Sequence, residues 1–84
     1  MSTLEVLEQY IVTDIAADLD KKSLGPDDDL LGTGIIDSMA IFKLVLFLEG
    51  TFGIEVNDED IVPENFQNLN SMVAYVEQRQ ANKQ

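Results

Sequence analysis

Ser38 is the residue of this chain best placed for covalent chemistry, since it stands where a loop meets the start of an apolar helix. The segment around it, residues 34–39, reads Gly-Ile-Ile-Asp-Ser-Met. A phosphate ester formed on an exposed hydroxyl there lies near the unpaired N–H groups and the positive dipole end of that helix. The same position also suits a serine that only caps the helix. The local sequence therefore allows either a phosphate attachment site or a simple N-cap.

The residue types argue against an autonomous enzyme. The 84 residues include no His and no Cys, which removes the commonest general base, the commonest metal ligand and all thiol chemistry. A serine hydrolase needs such a base and a Gly-x-Ser-x-Gly turn, and neither is found in the sequence. The acidic clusters that begin at Asp27 and Asp58 lack the third ligand and the glycine of an EF-hand loop. We therefore predict no catalytic residues and no metal site.

The charge balance limits the possible partners. There are 16 acidic residues against 5 basic ones, a net charge of −11, which repels nucleic acids and anionic lipids and attracts basic protein surfaces. The same acidity would also keep a small protein in solution without any docking role. The longest apolar run, Leu44 to Leu48, is far too short to span a membrane. We predict a cytoplasmic monomer that binds no nucleic acid and does not span a membrane.

Apolar spacing predicts the first helix from about Thr3 to Leu19. Ser2 and Glu5 form a capping-box pattern at its start. Apolar residues then recur at three- and four-residue steps, at positions 4, 7, 11, 15 and 19. Residues 20–37 carry Gly25-Pro26 and three consecutive aspartates, and they read as a long loop. Its apolar residues are expected to anchor it to the core: Leu24, Leu30, Leu31, Ile35 and Ile36.

The second helix is predicted from Ser38 to Phe52, with Gly53 as its stop. Its core-facing stripe is Ile41, Leu44, Val45, Leu48 and Phe52. A period of 3.6 residues directs four further side chains away from that stripe, and we predict that they contact partners: Met39, Lys43, Leu46 and Phe47. Alternatively, the loop residues Ile35 and Ile36 cover the apolar members of this set.

Two more helices complete the prediction. A short third helix is expected near residues 57–61, before Pro63. Asn68 is expected to cap a final helix with apolar residues at 69, 72, 73 and 76, followed by a polar tail from about 78 that frays. The whole chain, residues 1–84, then forms one domain. The fold class is all-α, a small four-helix bundle with three long helices and one short helix.

Several motifs in the middle of the chain occur together. Asp37-Ser38-Met39 opens an apolar helix, Phe-Gly-Ile-Glu-Val follows at 52–56, and Asp-Glu-Asp comes at 58–60. This combination resembles the acyl and peptidyl carrier protein family, over residues 29–76. Asp-Ser-Met alone is a weak signal, whereas the full set at these spacings is a strong one.

The resemblance implies that Ser38 receives 4′-phosphopantetheine from coenzyme A through a Mg²⁺-dependent phosphopantetheinyl transferase. The thiol of that arm then holds an acyl or aminoacyl cargo as a thioester. Asp37 matches the family's aspartate beside the modified serine, which is implicated at the transferase's metal site; as a plain helix-start carboxylate it would also be favoured by the dipole. The chain itself would be no enzyme.

The glycine pattern bears on the kind of cargo. Fatty-acid carriers usually read Leu-Gly-x-Asp-Ser-Leu, whereas here the nearest glycine, Gly34, lies further from the Asp-Ser pair. Residues 31–39 look closer to stand-alone carriers, including D-alanyl carriers. The implied partners are an adenylate-forming acyl or aminoacyl ligase and a downstream acyltransferase or synthase. The alternative is a non-carrier helical interaction domain without a prosthetic group.

Overall fold

Helices provide all the regular secondary structure of residues 2–15 and 24–81, the parts of the chain that the computed structural model describes. They are α1 (Thr3–Tyr10) with a π-helical continuation (Ile11–Ile15), α2 (Ser38–Phe52), α3 (Pro63–Phe66) and α4 (Leu69–Ala81). The predicted all-α fold with one short helix is confirmed. None of the helices in the described ranges combines the length and the apolar character needed to cross a membrane.

The start of α1 is fixed by the predicted capping box. The Ser2 hydroxyl accepts the backbone N–H of Glu5 at 3.2 Å, and the Glu5 carboxylate accepts the N–H of Ser2 at 3.0 Å. Leu7 and Ile11 are fully buried, as the apolar spacing predicts. The spacing does not predict the change from α to π geometry at Ile11. The expected end of this helix, Leu19, lies outside the described residues.

The boundaries of α2 agree with the sequence because one residue fixes each end, Asp37 through its side chain and Gly53 through its backbone conformation. Asp37 is the N-cap, and its carboxylate accepts the N–H of Ala40 at 2.9 Å. Gly53 ends the helix in the left-handed conformation with φ 66°, where a Cβ would be unfavourable. Between these ends, Leu44 and Leu48 are fully buried.

The segment before α2 is anchored to the core as expected. Leu30 and Ile36 are buried and are joined by a hydrogen bond from the N–H of Ile36 to the carbonyl of Leu30 at 3.0 Å. The N–H of Leu30 in turn donates to the carbonyl of Gln67 at 2.8 Å, which ties the segment to the region between α3 and α4. Ile35 is also buried. These contacts hold the approach to α2 in place.

The region of the predicted third helix differs from the prediction. Residues Asp58–Asp60 form only a 3₁₀ turn, and the short α-helix starts later, at Pro63. Proline at the first helical position lacks only an N–H that would be unpaired in any case, so Pro63 begins this helix and does not stop the previous one. Phe66, at the end of α3, is fully buried.

The C-terminal helix is longer than predicted. Asn68 caps α4 by accepting the N–H of Ser71 at 2.8 Å, as expected. Residues 78–81, predicted to belong to a frayed tail, are helical. The Nε of Arg79 donates to the carbonyl of Glu55 at 3.0 Å, which holds this last turn against the chain after α2. Residues 82–84 lie outside the described part.

Helix α4 is the central element of the bundle, since it packs against α1, α2 and α3. Tyr75 on α4 is buried, and its hydroxyl donates to the carboxylate of Asp60 at 2.9 Å. Burial, together with this hydrogen bond, raises the pKa of Tyr75 to about 12. The bond links α4 to the 3₁₀ turn and gives a buried phenol the polar partner that it needs.

Candidate functional site

Ser38 lies at the first position of α2, with Asp37 before it as the cap. The N-cap alternative for Ser38 is therefore wrong, because Asp37 performs that role. The Ser38 side chain is exposed, and its hydroxyl makes no hydrogen bond to any residue in the described ranges. It is thus available to an incoming reagent.

The first turn of α2 supplies a favourable environment for a phosphate. An α-helix leaves its first N–H groups without intrahelical acceptors. Here the Asp37 carboxylate accepts the N–H of Ala40, and the Asp37 carbonyl accepts that of Ile41. The N–H groups of Ser38 and Met39 have no acceptor among residues 2–15 and 24–81. Together with the helix dipole, such groups stabilise an exposed anion by roughly 0.3–1 kcal/mol, so these residues fit a phosphate ester on Ser38.

The outward face of α2 is unusually apolar. Met39 is 74% exposed and Leu46 is 70% exposed, so both project away from the core as predicted. Phe42, which the sequence analysis did not select, is 63% exposed. Its spacing from the other two, i, i+3 and i+7, is the signal that could have identified it. Ile35 and Ile36 are themselves buried and leave these side chains uncovered.

Phe47 does not belong to this outward face, and the prediction that it projects away from the core is wrong. Its ring stacks on that of Tyr10 with centroids 3.9 Å apart and an interplanar angle of 12°, and it meets the edge of Phe52 at 6.2 Å. Phe47 follows the buried Ala40 by seven residues, which is about 20° short of two full turns. Helical geometry therefore turns it toward α1.

Lys43 is exposed on the same side of α2 as Met39 and Leu46. Lys43 and Arg79 are the only basic residues within residues 2–15 and 24–81. Arg79 is held by the carbonyl of Glu55, whereas Lys43 has no partner in the described ranges. We refer to Met39, Phe42, Lys43 and Leu46 as the α2 patch.

Acidic residues elsewhere do not form a metal site in the described part of the chain. No group of three or more His, Cys, Asp or Glu side chains in residues 2–15 and 24–81 could hold a metal ion. Asp27 is instead bonded to the side-chain amide of Asn70 at 2.7 Å, and Asp28 and Asp29 accept backbone N–H groups of Gly25 and Gly32. These carboxylates order the turns before α2.

Comparisons with known proteins agree with this geometry. Residues 6–76 match the family described as "Phosphopantetheine attachment site". The probable acyl carrier protein PigG of Serratia sp. is 35% identical, over 90% of this chain and 91% of that protein. The D-alanyl carrier protein of Lacticaseibacillus casei is 36% identical, over 82% of this chain and 89% of the relative.

One solved structure shows the same fold. A chain from the crystal structure of a FAD-dependent dehydrogenase superposes with a TM-score of 0.71 at 26% identity, over 83% of this chain and 97% of that chain. The named relatives, by contrast, are carriers. The alternative of a non-carrier interaction domain is therefore wrong, and this protein carries acyl groups without catalysing a reaction. By its sequence match, its relatives and its helical fold, the chain belongs to the phosphopantetheine-binding acyl carrier protein family.

Proposed function

We propose that Ser38 is the attachment point of 4′-phosphopantetheine and that the cargo is an acyl or aminoacyl group activated by an adenylate-forming ligase. The observation that carries this proposal is the exposed Ser38 hydroxyl at the start of α2, without a hydrogen-bond partner in the described ranges. When bound, the prosthetic group supplies a terminal thiol that holds cargo as a thioester.

The only reacting group that this chain has to supply is one nucleophile, the Ser38 hydroxyl. The Ser38 oxygen forms a bond to the phosphorus of coenzyme A that carries the pantetheine, and adenosine 3′,5′-bisphosphate leaves. The hydroxyl proton must pass to a base, and this chain contains no histidine to accept it. We therefore assign the base and Mg²⁺ to the phosphopantetheinyl transferase, with Asp37 adjacent to the metal.

The hydrogen bonding of Asp37 suits it to a position beside the metal ion of the transferase. One of its carboxylate oxygens accepts the N–H of Ala40, which fixes the orientation of the group. Its other oxygen accepts no hydrogen bond from residues in the described ranges, and the side chain is exposed. A carboxylate oriented in this way can contribute one oxygen to a Mg²⁺ ion that belongs mainly to a partner enzyme.

The choice of ligase over malonyl transferase rests on the sequence around the site and on one of the relatives. Gly34 lies further from the Asp-Ser pair than in the usual pattern of fatty-acid carriers. The relative named D-alanyl carrier protein is 36% identical over 72 residues. We expect loading to take place in the cytoplasm, where ATP and coenzyme A are available, and a downstream acyltransferase or synthase to receive the cargo.

We expect the phosphopantetheinylated protein to be acylated by an ATP-dependent adenylating ligase and not by a malonyl transferase. The measurement is intact mass after incubation with each enzyme and its substrates, with the unmodified protein as the control. Malonylation in the absence of any ligase product would contradict the assignment of cargo.

We further propose that partner enzymes dock on the α2 patch. The attachment point lies at the N-terminus of α2, so an enzyme that acts on the arm must approach this helix. Three exposed apolar side chains offer contact area, and Lys43 offers a positive charge in a protein of net charge −11. The complementary partner surface is an apolar depression that includes a carboxylate for Lys43, beside a basic region attracted by the remaining acidity.

Truncation of the α2 patch should weaken recognition without loss of fold. We expect Phe42→Ala and Leu46→Ala each to raise the KM of the loading ligase by roughly tenfold, because a buried interface anchor contributes more than about 1 kcal/mol. Lys43→Glu should have a similar effect through charge repulsion. Steady-state kinetics of the ligase with each phosphopantetheinylated variant is the measurement.

Phe47→Ala is the contrasting variant, since Phe47 packs on Tyr10 and not in the patch. It should lower the midpoint of thermal unfolding and leave the KM of the folded carrier nearly unchanged. If the three patch variants fold normally and are loaded like the parent, docking occurs on another surface.

A further inference from the structure

All the sulfur atoms of this chain are methionine thioethers. The sequence has no cysteine, so Met1, Met39 and Met72 are the only residues whose sulfur can be oxidised. Met39 is 74% exposed in the first turn of α2, whereas Met72 is 0% exposed on the core side of α4. A reagent in solution therefore reaches the side chain of Met39 and not that of Met72.

Oxidation would change the chemical character of Met39. A peroxide transfers one oxygen to the thioether sulfur: the O–O bond breaks, an S–O bond forms, and water leaves when the oxidant is hydrogen peroxide. The sulfur is oxidised by two electrons and the peroxide is reduced. The apolar side chain thereby gains a polar oxygen that accepts hydrogen bonds, and methionine sulfoxide reductases reverse the change.

Met39 is the member of the α2 patch nearest to the attachment point, since it directly follows Ser38 in the chain. It is also the most exposed of the three apolar members, with Leu46 at 70% and Phe42 at 63%. A partner that acts on the arm has to cover this side chain. A sulfoxide oxygen in such an apolar contact loses its hydrogen bonds to water, and burial without a new partner costs free energy.

Lys43 adds a second effect, because it lies four residues after Met39. Side chains with this spacing are neighbours on the surface of a helix. Lys43 is exposed and has no partner in residues 2–15 and 24–81. Its ammonium group can donate to a sulfoxide oxygen on Met39, whereas a thioether is only a weak acceptor. Oxidation would thus also occupy the positive charge that the patch presents to a partner.

We propose that Met39 is a site of reversible oxidation by peroxides and that its sulfoxide weakens the binding of partner enzymes to the α2 patch. This inference rests on the docking role proposed above. The phosphopantetheine thiol is open to oxidation as well, but its disulfide and sulfenic acid forms are reduced by other thiols. Methionine sulfoxide requires a reductase enzyme, so the two oxidations can be separated.

The test treats the phosphopantetheinylated protein with hydrogen peroxide, removes the peroxide with catalase and restores the thiol with dithiothreitol. Peptide mass mapping should show sulfoxide at Met39 forming at least about tenfold faster than at Met72, because susceptibility follows exposure. The KM of the loading ligase should then rise by roughly fivefold or more, as for loss of an interface anchor. Treatment with both methionine sulfoxide reductases should restore it, and the midpoint of thermal unfolding should stay unchanged throughout.

Three variants locate the effect, each compared with itself before and after peroxide. In Met39→Leu, oxidation should no longer change the KM, although Met1 and Met72 are still present. Met72→Leu, a core substitution that nearly conserves volume, should respond like the parent. In Lys43→Leu the rise in KM should be smaller by about twofold, because a side-chain pair on an exposed helix surface contributes little. An equal rise in Lys43→Leu and the parent would overturn the role given to Lys43.

Two results would overturn the proposal as a whole. One is oxidation of Met72 as fast as that of Met39, and the other is an unchanged KM after complete conversion of Met39 to the sulfoxide. Phe42→Ala separates the second result from failure of the docking proposal. A raised KM in Phe42→Ala would show that the α2 patch is used but is insensitive to oxidation, whereas an unchanged KM in both would remove the patch as the docking surface.

Discussion

Replacement of Ser38 by alanine is expected to abolish the addition of phosphopantetheine by a transferase with coenzyme A. The parent protein should gain the mass of one group and the S38A variant none, because the substitution removes the oxygen that forms the phosphate ester. Stability should change by no more than about 0.5 kcal/mol, the range of exposed surface substitutions, since the hydroxyl has no hydrogen-bond partner in the described ranges. Intact mass spectrometry and thermal unfolding measure the two effects.

Ser2 provides a matched control for this experiment. It is also an exposed serine at the start of a helix, but its hydroxyl caps α1 by accepting the N–H of Glu5. Ser2→Ala should therefore cost about 1 kcal/mol of stability and leave the labelling intact. Equal labelling of S38A and the parent would contradict the assignment of the attachment point.

Leu44→Ala should destabilise the protein by about 2–5 kcal/mol, the usual cost of removing a buried leucine side chain and leaving a cavity. Leu44 is fully buried on the core side of α2. A chain of 84 residues has a total stability of roughly 4–13 kcal/mol. The substitution therefore removes a large fraction of the free energy of unfolding. Chemical denaturation followed by circular dichroism measures the loss.

Leu46 is the control for this prediction, because it is the same residue type two positions further along the same helix and is 70% exposed. Leu46→Ala should change the free energy of unfolding by no more than about 0.5 kcal/mol. Equal denaturation midpoints for the two variants would contradict the orientation of α2. The pair separates burial from any effect of leucine on helix propensity, which is the same at both positions.

The sequence predicted best those features that depend on local interactions. Both ends of α2 were predicted correctly because Asp37 and Gly53 act on backbone groups within a few residues of themselves. The capping box at Ser2 is local in the same sense. Apolar spacing likewise identified Leu44 and Leu48 as core residues. Residues that recur at three- and four-residue steps lie on one face of a helix, and an apolar face packs against the core.

The features that the sequence did not predict depend on contacts between distant segments. Helical spacing places Phe47 on the same side of α2 as the buried Ala40, but the ring that covers Phe47 belongs to Tyr10, 37 positions earlier in the chain. Arg79 keeps the end of α4 helical through the carbonyl of Glu55, which no local pattern reveals. The start of α3 at Pro63 was missed because proline reads equally well as a stop and as a first helical residue.

The candidate site could be predicted only in part from residue types alone. The local sequence allowed Ser38 to be either a cap or an attachment point, and the resemblance to carrier proteins supported the second role. The structure adds that Asp37 is the cap, which leaves the Ser38 hydroxyl available. A small cleft beside Ser38, lined by Ile15, Ile35 and Lys43 among others, could not be predicted, because these residues come from three separate segments.

The capping role of Asp37 and the metal role proposed for it have a consequence for mutational surveys of this protein. A library selected only for stable expression should tolerate Asn, Ser or Thr at position 37, because each can cap a helix. A library selected for phosphopantetheine attachment should retain only the carboxylate if Asp37 contributes to the transferase's metal site as proposed. Comparison of the residues enriched at position 37 in the two libraries separates the contribution of Asp37 to folding from its contribution to modification. A single alanine substitution would remove both contributions at once.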